Sequence, residues 1–404
     1  MEKVTVESVA KQSCTGCGLC AQLCPKKCIA MQQDEEGFFA PAVNTEMCIS
    51  CGICLGACPV ADASESLFYK DTPTYFCANA SDKELLKKSS SGGVFGLLAE
   101  QVLASGGKVC GCVYDEAMHP VHILTNDKCD VERMFGSKYV QSNAAVCFPE
   151  IKESLLAGTE VLFTGTACQV AALRNFLKKD YEGLCTAEIL CHGVPSPGFF
   201  ATFVARLEKK LKGKVLDVQF RNKEKGGWGS EHRTCVVYRD KKGNVRKYRP
   251  TLPAYFSAFF YGLSLRESCY QCKFARNERI ADLTLGDFWG SWNKYQRRFI
   301  EGISVVAVNT ERGKALTQKI KERLDWFDEL TAAEAMRSND NFYHPVKRPP
   351  ERSDFYRDLQ TGKYRGYWKK AYFTKTYRRK TLASVYGAFV PAKIRYALHK
   401  IKKK

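Results

Sequence analysis

Residues 14–25 read Cys-Thr-Gly-Cys-Gly-Leu-Cys-Ala-Gln-Leu-Cys-Pro, and residues 48–59 read Cys-Ile-Ser-Cys-Gly-Ile-Cys-Leu-Gly-Ala-Cys-Pro. The spacing Cys-x2-Cys-x2-Cys-x3-Cys-Pro therefore occurs twice. A tight loop aims the first three thiolates of such a run at one 4Fe-4S cubane, while the fourth, before proline, points away and serves the other cluster. Cys14, Cys17, Cys20 and Cys58 are expected at one cluster, and Cys48, Cys51, Cys54 and Cys24 at the other. Gly16, Gly18 and Gly52 let backbone amides approach the cluster sulfurs. Paired zinc sites would need neither four cysteines per run nor the Cys-Pro ending. Between the runs, 29–32 and 38–41 flank Asp34-Glu35-Glu36-Gly37 and read as a small hairpin. Cys28 is surplus and reads as a small buried residue.

The rest of the composition fits this start. With 45% hydrophobic and 26% charged residues the chain is neither disordered nor short of core. No uncharged run reaches the ~18 apolar residues of a spanning helix. Residues 1–7 have no apolar signal region. A cytoplasmic place is expected, where 20 cysteines suggest metal rather than a disulfide framework. The formal charge is +19, but residues 341–404 hold 18 basic and 3 acidic residues. The basic balance belongs to a tail, and nothing outside it suggests a nucleic-acid face.

The fold class read from these patterns is an α+β ferredoxin module over 1–66, a linker over 67–75, a larger α/β domain with a mixed sheet over 76–335, and a basic, partly helical tail over 336–404. Within the large domain, strand-like runs cover 108–114, 121–124, 161–164, 186–190, 215–221, 234–238, 282–285 and 303–308. Helical runs cover 94–104, 144–156, 169–177, 199–211 and 252–261. The alternation argues for a mainly parallel sheet with helices on its faces. Residues 215–249 read as a hairpin turning at Asp240-Lys241-Lys242-Gly243-Asn244, which makes the sheet mixed.

Cys269-Tyr-Gln-Cys272 is the smallest unit that seats two ligands of one metal. Cys168 and Cys191 each follow a strand, where loops at the carboxyl ends of parallel strands converge. On spacing alone, these four cysteines are either a third cluster site or a redox-inert pair plus two buried thiols.

A family resemblance enters at these residues. It is carried by Ser89-Ser90-Ser91-Gly92-Gly93-Val94-Phe95, Gly136-Ser137-Lys138-Tyr139-Val140-Gln141-Ser142, Gly165-Thr166-Ala167-Cys168-Gln169 and Cys191-His192-Gly193-Val194-Pro195-Ser196. It continues in Phe220-Arg221-Asn222-Lys223, Cys269 to Ala275 and Ala281 to Gly290. With the ferredoxin module, the chain resembles the coenzyme F-420 hydrogenase/dehydrogenase beta-subunit family over about residues 10–310. The resemblance implies an iron–sulfur flavoprotein with FAD and a 4Fe-4S cluster in the large domain, the latter on Cys168, Cys191, Cys269 and Cys272. It implies a ferredoxin-linked or deazaflavin-linked flavin oxidoreductase. Ala167 departs from the proline found before this cysteine in many relatives.

A flavin is a physically sensible intermediary between one-electron clusters and a two-electron organic substrate. No G-x-G-x-x-G follows a first strand. Ser91-Gly92-Gly93, opening the helix at Val94, is read as a pyrophosphate seat or as a plain cap. Lys138, Gln141 and Ser142 are candidates for the flavin, or belong to a solvated turn. Asp287 either orients the flavin or cluster loop or caps a turn. His192 is a candidate proton donor or a structural histidine, and Lys223 a substrate contact or a solvated charge. Partners expected are a ferredoxin-like donor and an organic substrate; a non-catalytic electron relay within a larger redox complex is the alternative. In the tail, Leu382, Val385, Phe389, Ile394, Leu398 and Ile401 recur at helical spacing among basic residues. That pattern suits an anionic membrane at its inner face, or packing on the body.

Overall fold

The computed structural model describes residues 5–9, 11–61, 65–224, 227–228, 234–250, 254–291, 294–295, 301–337 and 339–362. In the first module, β1 (Ile29–Gln33) and β2 (Phe39–Val43) pair antiparallel. Short helices Leu19–Leu23 and Ile53–Gly56 continue the two cysteine runs. The hairpin turns where expected. Asp34 accepts from the amides of Glu36 and Phe38, both at 2.9 Å, the self-capping turn that Asp favours. Gly37 at the tip has φ +79°, and a Cβ there would come within 2.7 Å of Gly198 Cα. The hairpin thus meets the large domain backbone to backbone. Phe38 is buried in the large domain's aromatic core with Phe199 and Tyr356.

The large domain is built on eight strands: β3 (Thr74–Ala80), β4 (Lys108–Tyr114), β5 (Pro120–Thr125), β6 (Val161–Thr166), β7 (Leu184–Ile189), β11 (Leu283–Asp287), β12 (Ser304–Val308) and β13 (Leu324–Leu330). Their order is β13-β3-β12-β11-β7-β6-β4-β5. The middle four, β4, β6, β7 and β11, run parallel, and the flanking strands pair antiparallel. Val161 and Phe163 pack on one face with helices Phe148–Leu156 and Ala167–Leu177. Leu162 packs on the other with helix Val94–Ala104. Covering on both faces is why these strands read as continuous apolar runs. The expected hairpin forms as β9 (Cys235–Asp240) and β10 (Val245–Tyr248), turning over Asp240–Asn244. With β8 (Gly213–Gln219) it makes a separate three-stranded sheet, so the mixing of the main sheet comes from its edges instead.

Two segments behave differently from their sequence appearance. Residues 67–75 read as a linker, yet Leu67 and Phe68 are buried against Phe274 and Ile280, and Arg174 donates to the Leu67 carbonyl at 2.6 Å. The start of the basic segment also folds onto the body. In helix Arg352–Gln360, Arg352, Phe355 and Tyr356 are buried. The amphipathic stretch expected over 382–401 lies outside the described residues. Among the described residues no helix is long and apolar enough to cross a membrane.

Candidate iron–sulfur and flavin site

Cys24, Cys48, Cys51 and Cys54 line one shared pocket. The fourth cysteine of the first run has crossed to the second, as its place before proline requires. Cys28 lines the same pocket, and its Sγ lies 3.3 Å from that of Cys24. Cys14, Cys17, Cys20 and Cys58 lie within electrostatic reach of one another. Burial pushes Cys20 well up, and the Cys17, Cys14 and Cys58 thiols add to the rise. Burial likewise pushes Cys17 to about 12, with Cys58, Cys168 and Cys14 adding to it.

The influence of Cys168 on Cys17 brings in the third group. Cys168 stands at the start of helix Ala167–Leu177, whose capping box joins Thr166 and Gln169. Cys191 follows β7, and Cys269 sits in the turn Glu267–Gln271, with Cys272 just after it. Burial pushes Cys168 to about 12, and Cys272 and Cys269 raise it further. Cys191 is raised by burial and by Cys269, Cys168 and Cys272. The Gly193 amide donates to Cys191 Sγ at 3.3 Å, and Thr166 Oγ lies 3.0 Å from Cys168 Sγ. Such donors suit a cluster thiolate. Among the described residues no three His, Cys, Asp or Glu side chains gather closely enough for a single metal ion. The type and grouping of these thiols suit iron–sulfur ligation, and bound metal would restore the thiolates that burial disfavours.

The junction between the two domains is polar and buried. Arg266 donates through Nε to the Cys14 carbonyl at 2.7 Å and through an Nη to Phe39 at 2.9 Å. Gln141 accepts from the Phe39 amide at 3.2 Å and donates to the carbonyls of Thr15 and Gly16. A Cβ on Gly16 would lie 2.4 Å from Gln141 Nε2, so glycine is required there. Arg352 forms two bonds to Glu36, at 2.9 and 2.7 Å, and pairs with Glu267 at 2.7 Å. Sequence reasoning missed Arg266 and Arg352 because their partners lie hundreds of residues away. Gln141, expected at the flavin, instead docks the first cysteine loop; its amide is engaged on both ends.

The remaining flavin candidates ring the carboxyl ends of the parallel strands. Ser91 Oγ donates to Ile303 O at 2.6 Å, and the Gly92 amide donates to Ser304 Oγ at 2.9 Å. The turn is thereby pinned to β12, and the first-turn amides after Gly93 face outward from the helix start. Ser137 is tied to Ser90. Lys138 is not in a solvated turn. It donates to the carbonyls of Arg133 and Phe135, closing the helix Lys128–Met134, and burial pulls its pKa to about 8. Lys223 is likewise neither solvated nor turned to substrate. It donates to the carbonyls of Leu86, Ser91 and Glu301, and burial pulls it to about 7. Ser142 accepts from Gln169, which links it through Thr166 to Cys168. Asp287 pairs with Arg221 at 2.9 Å, whose guanidinium lies over Trp228 and Trp289. His192 is half-buried with its ring edge-on to Phe259, and desolvation lowers its pKa. Ile189 ends the central strand β7 and is 45% exposed.

Residues 13–61 match the 4Fe-4S dicluster domain. Residues 158–327 match the family model that describes the C terminus of the coenzyme F-420 hydrogenase/dehydrogenase beta chain. Over that span the large domain is similar to the coenzyme F-420 hydrogenase/dehydrogenase beta-subunit family. It holds Cys168, Cys191, Cys269, Cys272 and Asp287 inside the matched span. Together the two modules make the chain an electron-transferring iron–sulfur protein of an oxidoreductase family. A solved structure of the xenon-derivatised F-420-reducing NiFe hydrogenase complex from Methanosarcina barkeri contains a similar chain, with 18% identity and a TM-score of 0.42 over 73% of this chain and 91% of that one. No curated protein matches the chain.

Proposed function

We propose that the protein is an iron–sulfur flavoprotein oxidoreductase that passes electrons from a low-potential, ferredoxin-like donor to an organic substrate, or the reverse. When bound, 4Fe-4S clusters move single electrons and FAD exchanges singles for pairs. The observation that carries the reading is that Cys17 of the first module and Cys168 of the large domain pack against the same apolar cluster, within electrostatic reach of each other across the domain junction. In this reading the two cysteine sets form one path that ends at the strand edge. Arg266 and Gln141 hold that junction. The Ser91-Gly92-Gly93 turn and Lys223 fix the loops around the edge, and Ile189 offers a surface for the ring. Met47, Ile49 and Ile53, 52%, 57% and 40% exposed, lie within four residues of the exposed Cys51 in the chain. This makes the second cysteine run the face that a donor protein meets.

Denatured holoprotein should release a yellow, flavin-absorbing compound, and chemically reduced ferredoxin should bleach the flavin band of the intact enzyme. Cys51→Ala should slow that bleaching by at least tenfold. A colourless supernatant from fully loaded protein would remove the flavin. Equal bleaching rates would mean that electrons enter elsewhere.

We also propose that the basic tail brings the enzyme to an anionic surface. Each Lys or Arg close to such a bilayer contributes about 1 kcal/mol. Full-length protein should co-sediment with anionic but not neutral vesicles, less so in high salt, and deletion of 381–404 should weaken it. Protein left in the supernatant with anionic vesicles at low salt would exclude the membrane role.

A further inference from the structure

The described residues hold three deeply buried arginines with different surroundings. Arg279, 3% exposed by side chain, pairs with Glu188. Arg352, 1% exposed, pairs with Glu36 and Glu267. Arg266, 4% exposed, has only neutral partners among the described residues. These are the carbonyls of Cys14 and Phe39, the Gln141 side chain at 3.4 Å and the face of Phe38. A guanidinium keeps its proton under all ordinary conditions, and a buried charge without a counter-charge is costly.

The place of Arg266 indicates where the counter-charge comes from. On one side its side chain grips the carbonyl of Cys14, in the first cysteine loop. On the other its own carbonyl accepts from the Cys269 amide at 2.9 Å, and its amide donates to Val194 O, in the loop of Cys191. Its charge also acts on the thiols of Cys168 and Cys269. Arg266 therefore stands between two sets of four thiols. A cubane held by four thiolates is net anionic and gains one further negative charge on reduction. A fixed cation beside it stabilises the reduced form more than the oxidised form.

We propose that Arg266 is a positioning residue. It holds the Cys14 loop against the Cys269 loop, and its charge sets the potentials of the clusters on both sides. The inference rests on the reading above, in which these eight cysteines hold clusters. With clusters bound on these two groups, single electrons would pass between them, in either direction.

The test uses full-length holoprotein, wild type, Arg266→Gln and Arg266→Lys, with iron content, spectroscopic redox titration and the ferredoxin-driven bleaching rate as readouts. Arg266→Gln should make at least one cluster harder to reduce by about tenfold at fixed potential, a shift of about 59 mV for one electron. Arg266→Lys keeps the charge but loses the two-pronged grip on Cys14 and Phe39. It should leave the midpoints near wild type and slow bleaching several-fold. Full iron with unmoved midpoints in Arg266→Gln overturns the inference. If that variant loses its iron, Arg266→Lys decides: slowed transfer at unchanged midpoints supports the positioning role, and wild-type transfer overturns it. Wild-type protein with about eight irons rather than about twelve would instead sink the three-cluster reading, and the inference with it.

Discussion

Replacing Cys269 and Cys272 together should remove about four irons per chain, from about twelve to about eight, and leave the ferredoxin-module signals in place. Cys269 lies in one short turn with Cys272 just after it, and both act electrostatically on Cys168 and Cys191, so the double change removes half of the proposed ligand set. Flow from reduced ferredoxin to the strand edge should fall by orders of magnitude, because the last step loses its carrier. Iron analysis with low-temperature spectroscopy checks this. Unchanged iron content would show that these thiols hold no cluster.

Arg352→Ala should be the most damaging single change away from the cysteines. It leaves Glu36 and Glu267 without their common cation, and opens a gap beneath Tyr356 and Tyr270, whose rings lie 4.5 and 5.7 Å from the guanidinium. Breaking a buried ion pair by removing one partner costs about 3–5 kcal/mol. The cost should appear as a lowered denaturant midpoint and as faster proteolytic release of the first 66 residues. Glu36→Gln should be milder, since Arg352 keeps Glu267. A wild-type midpoint for Arg352→Ala would show that helix Arg352–Gln360 does not fasten the module.

The two cysteine runs disclosed the first module almost completely, because ligand spacing is a local property. The parallel strands were equally legible, since runs such as Val-Leu-Phe at 161–163 are apolar on both faces. β3 was not. Its sequence, Thr-Tyr-Phe-Cys-Ala-Asn-Ala, lacks both alternation and β-branched residues after the first, and burial by neighbours overrides that weak propensity. β13, Leu-Asp-Trp-Phe-Asp-Glu-Leu, carries too many acids to read as a strand; it lies at the sheet edge, where charges are tolerated. At the site, motif order pointed to the right loops but not to the right contacts. Gln141 and Lys223 stand next to polar and glycine residues in sequence, which suggested ligand or solvent. Only folding shows that they cap the backbone of distant segments.

The backbone contact of Gly37 with Gly198, together with the Arg352 ties, has a consequence for rate. In many redox chains a carrier domain swings between donor and acceptor, and solvent friction then limits turnover. Here neither glycine has a side chain to act as a bearing, and the surfaces touch with no room to slide. Passage between the halves of this chain should be insensitive to added glycerol or sucrose, as in a soldered joint, while capture of the outside donor should slow with viscosity.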